Sequence, residues 1–168
     1  VNEYYHRVYL IFFKSTHQEG YLMKSIQDND LDAVEQNRNM LVRNTEEGLA
    51  KLNAIKPFAN RDASLLNACR EALEFYRLEA ETKIPVVIDF MLKHDDFEKI
   101  QKAVEAKSEK QRTQQDIDKY NKAVEDMNAA VNNYNKTIQI LNEERTKVIN
   151  DWNASSKRFL DEHIPASK

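Results

Sequence analysis

Apolar residues recur along this chain at helical spacing, and most regularly between Ile117 and Phe159. Written as heptads, the a and d positions there read Ile117, Tyr120, Val124, Met127, Val131, Tyr134, Ile138, Leu141, Arg145, Val148, Trp152, Ser155 and Phe159, and only Arg145 and Ser155 break the apolar rule. An apolar seam of period 3.5 sustained over about 65 Å of helix predicts left-handed packing against neighbouring helices at shallow angles. The fourth and longest helix is expected over approximately 114–162, before the closing His163 and Pro165.

Three earlier segments carry the same periodicity. The first, approximately 2–27, has Tyr5, Val8, Phe12, Leu22 and Ile26 on one stripe, widened by Tyr9, Leu10, Ile11 and Phe13, so it is expected to be buried on more than one side. "QDND" at 27–30 supplies a turn, with Asn29 or Asp30 capping the next helix. That second helix, approximately 30–56, carries Leu31, Val34, Leu41, Leu49, Leu52 and Ile55 and stops before Pro57, which lacks the N–H to continue the ladder. The third, approximately 61–106, carries Leu66, Cys69, Leu73 and Tyr76, then meets Pro85 inside an apolar pattern, which predicts a kink. A break is expected near 85–95, because Asp95 and Glu98 have the spacing of a fresh capping box before Phe97, Ile100 and Val104. Between Glu105 and Asp116 no large apolar residue appears until the fourth helix begins, so this stretch is either solvated helix or a turn.

These segments predict an all-α protein: an antiparallel, up-down-up-down four-helix bundle forming a single domain over 1–168, with long third and fourth helices and the third kinked near Pro85. Two helices of about 39 Å cover only part of a fourth of 65 Å or more, so the hairpin near 95–125 is expected to project. Composition agrees, with two glycines, three prolines and 32% charged residues. A net charge of −3 with interspersed signs offers no basic field for a phosphate backbone, so no nucleic-acid partner is expected. The longest apolar run, "VYLIFF", falls far short of the roughly 20 residues that span a bilayer. The chain opens at Val1 within a helical pattern, from which an upstream segment removed by processing, a signal or lipid anchor, is expected.

Candidate chemistry is sparse. Glu3 and His6 form the one Glu-x-x-His match, whereas a di-iron bundle needs two such motifs and two further glutamates, so no metal, cofactor or catalytic residue is expected. His17, His94 and His163 are scattered, with His94 read beside Asp95 and Asp96 as a helix-end cluster. The lone Cys69 reads as a buried thiol. Gly20 and Gly48 are isolated in helices and imply packing roles; with helices one and two folded back on each other, Gly48 comes level with Tyr9.

Two features depart from plain bundle patterning. Arg145 occupies a core position; in a hairpin of helices three and four it comes level with Glu74 and Glu79, so a buried ion pair competes with a side chain that snorkels to the bundle edge. A ligand carboxylate is a more distant alternative. Asn121, Asn128, Asn135 and Asn142 recur at every seventh residue, at e, where neutral amides suggest a flank partly covered by another helix. The row reads either as helix-flank packing or as a polar interaction strip that docks a partner or ligand.

"YNKAV" at Tyr120 and "YNKTI" at Tyr134 resemble the Tyr-Asn heptads of bacterial membrane-tethered helical bundles, including the LemA family, and of uncharacterised surface lipoprotein families of Gram-negative bacteria. The resemblance covers 120–144, implies the bacterial periplasm or cell surface, with the cytoplasm as the alternative, and carries over no catalytic residue. The expected function is that of a non-enzymatic structural or protein-interaction bundle with an unidentified protein partner. The alternatives are a periplasmic small-ligand-sensing bundle and a carboxylate-metal enzyme.

Overall fold

The periodic segments form α1 (Asn2–Gln27), α2 (Leu31–Asn53), α3 (Ser64–Leu78), α4 (Ile84–Glu105) and α5 (Gln114–His163). The computed structural model describes residues 1–164; Pro165, read from sequence as the terminating proline, lies outside them. A five-residue π-helical turn, Glu79–Lys83, joins α3 to α4 without interruption, so the five segments make four helical rods in an all-α bundle. No named strand occurs among the described residues; one isolated bridge links Phe58 and Asp62.

Local chemistry sets the boundaries. Asn29 adopts φ 53°, a left-handed conformation that asparagine tolerates, and Asp30 then accepts a 3.0 Å bond from the Ala33 N–H, fixing the cap on Asp30. α2 ends at Asn53, earlier than expected: Ala54 and Ile55 bond back three residues instead of four, tightening the chain before Pro57, which keeps its predecessor out of the helical region. The expected fresh cap at Asp95 and Glu98 does not form, because α4 runs through both and its side chains pair along the surface, Lys102 with Glu98 among them. Capping boxes form later, Ser108 with Gln111 and Thr113 with Asp116, so the polar stretch after Glu105 is the turn between α4 and α5.

At Pro85 the sequence predicts a kink; what the structure has beside Pro85 is an altered hydrogen-bond ladder in the preceding turn. The Ile84 N–H bonds Glu79 O, five residues back. The next bond in that pattern would run from residue 85 to Ala80 O, and proline has no N–H to give. Ala80 is fully buried, and Arg38 of α2 donates its Nε to the orphaned carbonyl at 2.7 Å. Glu79, the first residue of the π turn, faces inward and is 0% exposed.

α1 and α2 run antiparallel, with the Tyr4 hydroxyl donating to Lys56 O at one end and Gln18 to Asn37 near the other. α3 packs against α1, α2 and α5. α1 and α5 bring no Cα atoms within 8 Å of each other, and large side chains fill the gap: Phe12 stacks on Trp152 at 4.1 Å and Tyr4 on Phe159 at 5.7 Å. Gly48 sits where α1, α2 and α3 converge. A Cβ there would meet Leu73 at 2.8 Å and Ile11 at 3.1 Å, so the bulk it accommodates is theirs and not that of Tyr9. A Cβ at Gly20 would meet no neighbouring element within 4 Å, so the packing role expected of it is absent.

The core ends abruptly. Among the described residues, no member of the hydrophobic core cluster or of its packed shell lies between Met91 and Tyr134. Beyond that level α4 and α5 have only each other, with Phe97 and Tyr120 facing at 6.0 Å. This two-helix arm takes in Gln114 to about residue 133 of α5, roughly 30 Å.

Candidate functional site

Three helices each place one charged residue in an otherwise apolar slot at the same level. On α1 the stripe Val8, Phe12, Ser15, Glu19, Leu22 advances by alternating steps of four and three residues, and Glu19 falls inside it. On the third rod Leu65, Cys69, Ala72, Tyr76 and Glu79 follow the same rule, completed by the π turn. On α5 the heptad brings Arg145 to meet them.

Arg145 Nη2 donates to Glu79 Oε1 at 2.6 Å, and Arg145 Nε lies 2.6 Å from Glu19 Oε1. The second contact is an ion pair whose angle is not that of a hydrogen bond. Nη1 donates to Asn142 Oδ1 at 2.9 Å, and Met23 Sδ is 3.3 Å from Nη2. Arg145 therefore lies against two carboxylates, but these partners differ from those expected. Glu79 is one of them; Glu74 is exposed on the opposite side of its turn and takes no part. Glu19, on a helix far away in sequence, is the partner that hairpin geometry between helices three and four could not supply. Its signal was present as a charge on an apolar stripe.

Two carboxylates share one guanidinium here, and Glu144 adds a third acid, one of whose oxygens is buried without a partner. Burial, with the neighbouring Glu19 charge, pushes the Glu79 carboxyl up to about 7, against the opposing pull of Arg145. Burial raises Glu19 as well, again opposed by Arg145. Tyr76, fully buried beside them, donates to Thr16 Oγ1 at 3.1 Å, and burial pushes its hydroxyl up to about 12. With the Glu79 carboxyl raised to about 7 the arrangement can hold a proton below that pH, but it presents no open face to a substrate: Glu79 is 0% and the Glu19 side chain 9% exposed.

The remaining candidates separate from this cluster. Asn121, Asn128, Asn135 and Asn142 are all exposed, which corrects the expectation of a covered flank; α1 and α2 are too short, and too far from α5, to lie against it. Only Asn142 touches the charge cluster. Glu3 and His6 are exposed at the start of α1, and His17 is exposed on its outer face. His94 lies within α4, 3.9 Å from Glu98, and not at a helix end. Cys69 is fully buried, as its apolar setting implied, and burial pushes its thiol up to about 12. Asp62, Glu162 and His163 offer ligand atoms within 4.8 Å of one another, a grouping that sequence distance concealed. Asp62 already accepts from the Ser64 N–H at 2.8 Å and meets His163 Nε2 at 2.8 Å, so the pair ties the α2–α3 turn to the end of α5. No family model matches the chain, and no curated protein or solved structure matches it.

Proposed function

We propose that the protein is a non-enzymatic interaction module whose packed body holds out the α4–α5 arm to a protein partner. The half-covered seam of that arm carries the reading. Tyr120, Val124, Met127 and Val131 are each only partly buried, and Ile117 is 41% exposed, although all occupy core positions of the heptad. Beside them run the exposed amides of Asn121 and Asn128, so an apolar strip with a polar edge lies open along one helix, the form of a protein contact with a hydrophobic centre and a hydrogen-bonding rim. The enclosure of the charge cluster favours a structural role for it over catalysis. The bacterial envelope setting belongs to the same reading and rests on the Tyr-Asn heptads. Photo-crosslinking residues placed at Ile117 and Asn128 should capture a discrete protein from an envelope fraction, while one at Glu74 on the body should not. Identical captures from all three positions would sink the reading.

A further inference from the structure

We propose that the groove between α1 and α2 is a second docking site, separate from the arm, and that its occupant is an acidic amphipathic helix of a partner protein. The groove lies on the outer side of the two helices. Its deeper part, a cavity of about 420 Å³, has Ile11, Gly48 and Ile55 among its apolar lining. A shallower depression continues it along α1 past Phe13 and His17 and along α2 to Met40. Leu10 is 63%, Phe13 45% and Met40 43% exposed, all three along this one trough.

Charge identifies the occupant. Arg7, Lys14, Arg43 and Lys51 line the trough and Glu47 is its one carboxylate, already held by Lys14 at 2.8 Å, so the lining is net +3 in a chain that is net −3. From Arg7 to His17 the trough follows α1 for about 15 Å, three turns of a helix. Its apolar groups stand as ridges along the helix direction and do not close into a chamber, which suits anchors at i, i+3, i+4 and i+7 of a docked helix better than an engulfed small molecule. Acidic residues flanking such anchors would meet cations on both walls. α1 extends the surface with aromatic rings at every fourth residue, Tyr5, Tyr9, Phe13, His17 and Tyr21, each beside the next at centroid distances of 4.7–6.0 Å.

The test uses the full chain and a fluorescein-labelled helical peptide of about 15 residues, roughly the trough's length plus a turn, with leucines at i, i+4, i+7 and i+11 and glutamates between. A counter-probe has the same leucines with lysines for the glutamates. The acidic probe should bind saturably and weaken as salt rises. Arg43→Glu/Lys51→Glu and, independently, Leu10→Ser/Phe13→Ser should each weaken it at least about tenfold, the loss expected when one contact worth about 1.4 kcal/mol is removed. All four positions are exposed, so melting temperature should hold. Asn121→Asp/Asn128→Asp on the arm should leave probe binding unchanged, so failure here is distinct from failure of the arm reading. Equal binding of the lysine counter-probe would overturn the proposal, as would acidic-probe binding indifferent to the groove substitutions. It would equally fail if dodecanoate or anionic vesicles bound at the groove while the acidic peptide did not, or if the groove substitutions abolished a dimer of the chain itself.

Discussion

Arg145 faces Glu79 and Glu19 in a space that water barely reaches, so the energetics of this residue are those of an incompletely neutralised buried cluster. Removing the cation leaves two buried acids: Arg145→Ala should destabilise the bundle by about 3–5 kcal/mol at neutral pH, the range for a buried pair broken on one side. Arg145→Met/Glu19→Gln/Glu79→Gln, which removes all three charges together, should recover most of that in urea melts. A cost below about 1 kcal/mol for the alanine variant would mean that the bridge behaves like an exposed one. Acid–base linkage has a definite sign. Because the Glu79 carboxyl is raised to about 7 in the folded chain, the folded state holds a proton that the unfolded chain releases near 4.5. The resulting stabilisation is complete below the unfolded value and disappears as pH rises through about 7, and Glu19, also raised, acts in the same direction. The unfolding free energy from urea melts should therefore fall between pH 5 and 8, by on the order of 2–3 kcal/mol from Glu79 alone, and Glu79→Gln should flatten the profile. A midpoint that rises over this range would contradict the assignment.

At the scale of elements, the π turn and Pro85 act together, with Arg38 supplying the donor that proline cannot. Arg38→Met leaves the buried Ala80 carbonyl without a partner and should cost about 1–3 kcal/mol. In a Pro85→Ala background, where residue 85 regains an N–H, the same change should cost less, and a double-mutant cycle showing no coupling would refute the link. The two glycines make a second contrast. Gly20→Ala meets nothing and should stabilise α1 by up to about 1 kcal/mol, whereas Gly48→Ala must displace Leu73 and should lower thermal stability.

At the scale of the molecule, body and arm divide the chain's work. The core stops at Met91 and Tyr134, so deleting one heptad from each side of the hairpin, 98–104 and 117–123, should leave the body's melting transition within a few degrees of the parent. Loss of the cooperative transition would show that the arm is required for the body's stability.

Periodicity alone determined that the chain is helical, where α1 and α5 run, and that Arg145 sits at a core position, because period, capping residues and proline act within a few residues of sequence. The buried thiol of Cys69 was legible for the same reason. Partner choice depends on which helices come level and how far apart they stand. A hairpin register between helices three and four gave Glu74 and Glu79 equal standing, and the helical phase of α3 separates them: Glu79 continues the buried stripe of Leu65, Cys69, Ala72 and Tyr76, whereas Glu74 faces out. Glu19 reaches Arg145 because α1 and α5 stand too far apart for backbone approach, so long side chains meet across the gap. The asparagine row, read locally as a covered flank, is open because cover must come from helices that lie elsewhere. The cations of the α1–α2 groove are dispersed from Arg7 to Lys51, and only the antiparallel pairing of the two helices assembles them into one positive trough.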